Sequence, residues 1–349
     1  MSKRTIESFY KTVSPPSKKI KADEERIPTT FTTYPSYPHP IADLPPSIAN
    51  ALATINSEST SPKIINNQPH IDLPYFHPLI PQAAACDLFQ FLRRELPFYR
   101  VQYNIRRGGI NTQINTPRFT TVFGLDATSQ FLTPLDASAA SSASAVKAET
   151  GGEAPCTPSS NNSIIVDAKT QNPVLESKYQ YTPRPIPSCL ETLRHAVERS
   201  INDGSTYNFC LVNYYATGDD SISYHSDDER FLGPNPSIAS ISLGAQRDFL
   251  MKHKPSGAPG VGSNPPMKFA LAGGDMIVMR GETQANWLHS IPKRKGGEAH
   301  RGRINITFRK AVVPGGTNNY YNYNVGAGGV YQWDEVQGKM CPVVKEEKS

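Results

Sequence analysis

The sequence predicts a mainly antiparallel β sandwich or barrel covered by helices. Two amphipathic helical segments come first, a run of short strands follows, and turns rich in Gly, Asn and Pro separate the strands. The folded part is expected to open near Pro74-Tyr75-Phe76. From Gln82 to Leu96, Ala85, Leu88, Leu92 and Leu96 recur at three- and four-residue spacing and Pro97 ends the run, which is a helix. Val101 to Gly124 holds short β-rich runs split by Gly108-Gly109 and Pro117. Ser188-Cys189-Leu190-Glu191 has the pattern of a capping box, and Leu190, Leu193, Val197 and Ile201 mark a second helix stopped at Gly204. Strands are then expected at Phe209–Tyr215, Ile222–His225, Ile238–Leu243, Asp248–Lys252, Met267–Ala270, Asp275–Met279 and Ile304–Phe308.

Composition says that this core has appendages. The chain has 349 residues, 38% of them hydrophobic, with 31 prolines and 24 glycines, too many for packing throughout. Residues 1–70 lack helical or strand periodicity and read as a disordered tail, with Pro15-Pro16 and the Pro-rich stretch from Tyr34 to Pro40 as its marks. The folded domain is assigned to 71–312. A low-complexity insertion at about 127–176, with Ala-Ser repeats and Gly151-Gly152, is expected to loop out of it. Residues 313–349, rich in Gly, Asn and Tyr, read as a loosely ordered C-terminal tail. No apolar run is long enough to span a membrane, so no membrane partner is expected. The charged N-terminus lacks a following apolar stretch, so no secretory signal is expected either. Five cysteines (Cys86, Cys156, Cys189, Cys210 and Cys341) are scattered without a Cys-x-x-Cys, which favours a reducing compartment over a disulfide framework. A net charge of +5 permits an anionic partner without requiring one.

Two stretches carry chemistry. In His225-Ser226-Asp227 an imidazole and a carboxylate two residues apart on a strand share a face and can meet one cation. With His289, placed after a predicted strand, they make two imidazoles and one carboxylate, the set that leaves three positions open on Fe(II). A surface turn with ordinary polar residues explains His-x-Asp equally well. In the second stretch, Arg303 to Arg309, residues alternate without a break. Arg303, Asn305, Thr307 and Arg309 fall on one face, and Ile304, Ile306 and Phe308 on the other. That is either a half-solvated strand or a receptor for a small dicarboxylate, gripped by guanidinium forks. Asn213 and Tyr215 share a face of the strand at Leu211–Tyr215 and add an amide and a phenol.

Taken together in this order, Asn213-Tyr214-Tyr215, His225 to Glu229, Ile238 to Phe249, Trp287-Leu288-His289-Ser290, Arg303 to Arg309 and Pro117 to Gly124 resemble the AlkB family of Fe(II)/2-oxoglutarate dioxygenases, and within it the eukaryotic DNA-repair branch. The resemblance covers roughly 71–124 and 177–312. It implies a double-stranded β-helix (jelly-roll) core, with Fe(II) held by His225, Asp227 and His289. It implies 2-oxoglutarate and molecular oxygen as cosubstrates, with no catalytic residue beyond the metal and cosubstrate ligands. Arg303, helped by Tyr215, would pair with the distal carboxylate of 2-oxoglutarate. Arg309 would hold the carboxylate beside the keto group, with Asn213, Asn305 and Thr307 nearby. The implied reaction is oxidative demethylation of 1-methyladenine and 3-methylcytosine in DNA, with formaldehyde leaving. An RNA demethylase on the same fold, or a non-catalytic nucleic-acid-binding relative, are the alternatives.

On the substrate side, Tyr179 and Tyr181 stand where the family carries lid aromatics that receive a flipped base, although core tyrosines would look the same. Asp228 and Glu229 suit a base made cationic by methylation. Arg118, Lys252 and Lys254 are expected to meet DNA phosphates, with Arg106-Arg107 at a hairpin tip and Lys293-Arg294-Lys295 adding charge. At the extreme N-terminus, Ile6, Phe9 and Tyr10 resemble the plug of a sliding-clamp-binding box, with Lys3 in place of the usual glutamine. Lys18 to Lys21 fit part of a nuclear import signal. A nuclear monomer is the expectation.

Overall fold

The computed structural model describes residues 30–100, 102–107, 110–132, 164–255, 265–322 and 329–343. The strands preceding the first long helix are β1 (Phe31–Thr32), β2 (Ile41–Ala42), β3 (Lys63–Ile65) and β4 (Leu73–Phe76). Next come β5 (Phe98–Tyr99), β6 (Gln102–Arg107), β7 (Ile110–Asn115), β8 (Phe119–Gly124), β9 (Ser129–Leu132) and β10 (Ile164–Asp167). The central strands are β11 (Phe209–Tyr215), β12 (Ile222–His225), β13 (Ile238–Gly244), β14 (Arg247–His253), β15 (Met267–Leu271), β16 (Met276–Met279), β17 (Trp287–Ile291) and β18 (Arg303–Arg309). The C-terminal pair is β19 (Val330–Asp334) and β20 (Lys339–Pro342). The helices are α1 (Pro46–Ala53), α2 (Gln82–Glu95), α3 (Ser188–Ile201), α4 (Thr283–Asn286) and α5 (Asn318–Tyr321).

Two antiparallel sheets make the body. The larger has ten strands in the order β20-β19-β5-β8-β11-β18-β13-β16-β4-β3, and the smaller has four, β12-β17-β14-β15. Alternation decides which way each side chain goes. On the outer side of the large sheet, Val212, Tyr214, Ile304, Ile306 and Phe308 pack with Phe89 and Leu92 of α2 and Leu190, Leu193 and Val197 of α3. On the inner side, Phe209, Leu211 and Tyr215 meet Phe249, Met251 and Trp287 of the small sheet. Each such side chain taken fully out of water contributes roughly 1.5–3 kcal/mol, and together they close the sheets face to face as a jelly roll. The cavity between the sheets is where the polar face of β18 points.

The structure departs from the expected boundaries in three places. Residues 30–70 do not behave as a disordered tail: Ile41, Ile48, Leu52 and Ile55 are buried in the helix-side core. Helix α1 is only eight residues long and follows Pro45-Pro46, so its 48/52/55 stripe is too short to stand out from the prolines around it. The ends of the insertion are also built in, since β9 and β10 pair antiparallel and Val166 is fully buried. The Ala-Ser repeats themselves lie outside the described residues. The C-terminal stretch is not loose: β19 pairs with β5, extending the large sheet, Arg93 stacks on Trp333 at 3.7 Å, and Tyr321 is fully buried. Scattered aromatics with no period carry that packing, and no periodicity search detects them. Two local expectations change as well. Helix α3 begins after Pro187 without a side-chain cap, and the Ser188 hydroxyl goes instead to Asp43. His289 sits within a strand, β17, rather than after one.

Candidate active site

Strands β12 and β17 pair so that His225 lies directly opposite His289. Their ring centres are 4.2 Å apart. Asp227, two residues past His225, turns inward with its backbone N–H donating to Gln284 Oε1 at 2.8 Å. Its two carboxylate oxygens then stand 3.9 Å from His225 Nε2 and 3.8 Å from His289 Nε2. One ligand atom from each residue lies within 4.8 Å of the others, the one such His/Cys/Asp/Glu cluster among the described residues. The expected triad is therefore brought together, with Asp227 and His289 buried and His225 partly open.

Electrostatics prepare these groups as ligands. His225 Nδ1 faces the Ser223 carbonyl at 2.9 Å. A carbonyl only accepts, so in the neutral ring Nδ1 carries the proton and Nε2 keeps a free lone pair toward Asp227. Burial, with His225 and Arg309 adding to it against the pull of Asp227, pushes His289 down to about 3, so its ring is neutral. Burial opposes ionisation of Asp227, but Arg309, His289 and His225 outweigh it and hold the carboxyl below its ordinary range. Phe249 stacks on His289 at 5.4 Å and fixes the ring plane.

The large sheet supplies the other half. Arg303, Asn305, Thr307 and Arg309 are all buried, none more than 8% exposed, which eliminates the half-solvated strand as an explanation of the alternation. Asn305 donates to Ser240 Oγ and the Ile241 carbonyl, both at 2.9 Å, and Thr307 to the Leu211 carbonyl at 3.1 Å. Register sets Asn213 opposite Asn305 and Tyr215 opposite Arg303. Arg309 Nη2 meets Asp227 at 3.0 Å and Nη1 donates to the Tyr320 hydroxyl at 2.6 Å, so this arginine is largely satisfied by the protein. Arg303 is not. It stands behind the Tyr215 ring, its guanidinium carbon 5.4 Å from the ring centre, and donates once to Ser242 Oγ at 2.7 Å. Its Nε and Nη1 have no hydrogen-bond acceptor. Burial pushes it down to about 10, Arg247 adding to the push and Tyr215 opposing it. Buried unmatched donors on a cation cost free energy, and an anionic ligand would remove that cost.

The triad, Asn213, Tyr215, Asn305, Thr307 and Arg309 line a cavity of about 120 Å³ between the sheets, together with Arg118, Leu211, Met279 and Tyr320; Arg303 stands behind Tyr215 and is not part of the lining. Arg118 is thus a wall of the cavity, with Nε donating to Asn213 Oδ1 at 2.8 Å. Of the two acidic residues, Glu229 borders the cavity with Oε2 3.9 Å from Arg309 Nη1, whereas Asp228 is held outside by Lys254 at 2.8 Å. Tyr179 and Tyr181 are not brought to the cavity. Their hydroxyls donate to Asp126 and Asn322 at 3.0 and 2.7 Å, and Tyr179 lines a separate cleft beside β9 and β10. Framework hydrogen bonds place both of them away from the triad. Lys252 caps the exposed Tyr224 ring at 4.1 Å on the outer side. The backbone of β6 and β7 forms the expected hairpin, while its Gly108-Gly109 tip, Ile6, Phe9, Tyr10 and Lys18 to Lys21 lie outside the described residues. Tyr320 went unforeseen, because nothing in a Gly- and Asn-rich tail distinguishes the tyrosine that folds back.

A triad of two imidazoles and a carboxylate beside buried arginines matches one family. The profile of the 2OG-Fe(II) oxygenase superfamily matches residues 129–309. The chain belongs to this superfamily. Its name specifies Fe(II) and 2-oxoglutarate, with molecular oxygen as the third reactant, and the residues fit: three ligand atoms converge for the metal, and buried guanidinium nitrogens await an anion. Within the superfamily the similarity is to AlkB-like proteins. The chain is 41% identical over 137 residues to a human protein named DNA oxidative demethylase ALKBH2, covering 38% of this chain and 49% of that protein. It is 43% identical over 136 residues to the mouse protein of the same name, covering 38% and 54%. It is 40% identical over 131 residues to human alpha-ketoglutarate-dependent dioxygenase alkB homolog 3, covering 34% and 41%. The chain spans about half the length of the curated relatives it matches.

Proposed function

We propose that the protein is an Fe(II)/2-oxoglutarate-dependent demethylase that repairs N-alkylated bases in DNA, 1-methyladenine and 3-methylcytosine among them. The observation that carries this reading is the joining of two half-sites in one cavity: His225, Asp227 and His289 on one wall, and Arg309, Asn305 and Asn213 on the other. The names of the AlkB-like relatives support DNA as the substrate class. When bound, Fe(II) with 2-oxoglutarate and oxygen supplies the oxidising power that hydroxylates an N-methyl group, and the hydroxymethyl product then releases formaldehyde.

The chain's own residues bind, orient and exclude. His225 Nε2, His289 Nε2 and an Asp227 oxygen hold the metal. Arg303, through its unpartnered nitrogens, pairs with the distal carboxylate of the keto acid beside the Tyr215 phenol, and Arg309 holds the other carboxylate. Asn213, Asn305 and Thr307 keep that end of the cavity polar and ordered. Phe249, Leu211 and Met279 keep the rest dry. Glu229, at the edge of the cavity, adds a carboxylate that suits a base carrying positive charge, although it already faces Arg309 at 3.9 Å. Outside, Lys252 and Lys254 supply the cationic edge that a DNA backbone needs, with Arg118 adding charge at the cavity wall. Clamp docking through Ile6, Phe9 and Tyr10, nuclear action and a monomeric state complete the proposal.

The test is detection of succinate and formaldehyde on a 1-methyladenine DNA oligonucleotide with added Fe(II) and 2-oxoglutarate, comparing wild type with Asp227→Asn. Turnover in the wild type alone is expected. Equal turnover in both proteins refutes the metal assignment, and turnover on matched RNA only refutes the choice of DNA.

A further inference from the structure

We propose that Tyr320 is a positioning residue for 2-oxoglutarate, acting through Arg309, and that the C-terminal segment thereby completes a site begun by the core strands. The inference rests on the reading of Arg309 as a cosubstrate ligand. The superfamily match ends at residue 309, so Tyr320 lies beyond it.

A chain of polar contacts crosses the cavity wall. Asp227 receives Arg309 Nη2 at 3.0 Å, Arg309 Nη1 donates to the Tyr320 hydroxyl at 2.6 Å, and that hydroxyl donates to Glu229 Oε1. The phenol hydrogen-bonds to both Arg309 and Glu229, which otherwise meet only as an ion pair at 3.9 Å, and it orders both. An arginine fork held at Nη2 alone can rotate about that contact. Held at Nη1 as well, its plane is set, and Nε, buried without an acceptor, keeps one direction. The Tyr320 ring adds to this, 5.5 Å from the guanidinium carbon and edge-on to Phe209 and Phe231 at 5.4 and 5.7 Å.

The segment around Tyr320 is fastened on both sides. Tyr321, fully buried, donates to the Gly124 carbonyl at 2.7 Å and accepts from the Arg184 N–H at 3.0 Å. Upstream, Gly316 lies so close to Phe231 that a Cβ there would come within 2.1 Å of the Phe231 Cβ. A tail that merely covered the sheet would need neither a buried phenol at the metal ligand's ion pair nor so close a backbone approach.

The test uses the full chain with Tyr320→Phe, which keeps the ring and deletes the hydroxyl. Binding of 2-oxoglutarate is measured by calorimetry in the presence of Mn(II), alongside Mn(II) affinity and the thermal midpoint. The expected result is a dissociation constant for 2-oxoglutarate raised about tenfold, from one lost hydrogen bond to a charged group, with Mn(II) affinity and midpoint unchanged. In turnover, KM for 2-oxoglutarate rises while kcat holds. Equal 2-oxoglutarate affinity in the variant overturns the inference alone. Parallel losses of Mn(II) affinity and midpoint also overturn it, by showing a structural role. A wild type that binds Mn(II) but no 2-oxoglutarate overturns the proposed function and the inference with it.

Discussion

The two sheets contribute opposite chemistry to one cavity. The small sheet and the turn after it present lone pairs, from two imidazoles and a carboxylate, while the large sheet presents N–H donors from arginines and amides. They also differ in how complete they are without a ligand. On the small-sheet side the buried charge is met within the protein, since Asp227 has Arg309 and His289 is neutral. On the large-sheet side Arg303 keeps two buried nitrogens unmatched. On the proposed reading, the metal half is arranged in advance, and the keto-acid half carries unfavourable free energy that a bound dicarboxylate would release. Asp227 is where the halves meet, being at once a triad member and the counterion of a large-sheet arginine.

The largest predicted effect comes from cutting that junction. Asp227→Ala should abolish turnover and metal binding, and it should also destabilise the fold, because Arg309 is left as a buried cation with weaker partners. Breaking a buried pair from one side costs about 3–5 kcal/mol, which lowers the thermal midpoint by roughly 6 °C or more for a domain of this size. An unchanged midpoint would mean that Arg309 is free to leave Asp227, and the two halves are then not coupled.

The next effect separates the halves. Arg303→Met removes a buried, under-satisfied cation at similar volume, so the ligand-free protein should become more stable by about 1 kcal/mol. The same change should erase the response to 2-oxoglutarate. At a hundredfold excess over its dissociation constant a ligand stabilises the wild type by about 2.7 kcal/mol. Thermal melts with Mn(II), with and without 2-oxoglutarate, report both quantities. A variant that is destabilised, or that still shifts with 2-oxoglutarate, contradicts the role given to Arg303.

The same contrast explains what was legible in the sequence. Strands β11 and β12 were readable to the residue and β18 to within one residue at each end, because alternation over four to seven positions is a strong local signal. His289 was singled out as the third ligand, although its strand, β17, is too short and too mixed to announce itself. The polar face of β18 was ambiguous between solvent and cavity, since period-two alternation says which residues share a face and not what that face meets. Tyr179 and Tyr181 were misplaced because nothing local records that Asp126 and Asn322 would take their hydroxyls. The closures made by α1, β19 and Tyr320 depend on contacts between distant parts of the chain, such as β19 with β5 and Tyr320 with Glu229, which no short window along the chain contains.

The smallest predicted effect lies on the outer face of the small sheet, where two lysines two residues apart have different neighbours. Lys254 is already paired with Asp228 at 2.8 Å and donates to the Gln284 carbonyl at 3.0 Å, whereas Lys252 lies over the Tyr224 ring with no carboxylate on it. An exposed pair of the first kind is worth under about 1 kcal/mol to stability, so neither lysine should matter to folding. Each lysine that meets a phosphate releases about one counterion, and its removal lowers the slope of log affinity against log salt by about one. Lys252→Ala should therefore lower that slope by close to one for single-stranded DNA, and Lys254→Ala by distinctly less, because Asp228 already neutralises it. Equal slopes for both variants would show that DNA displaces Asp228 from Lys254. In that case Asp228→Asn should strengthen binding most at low salt, where an unscreened carboxylate repels phosphate most.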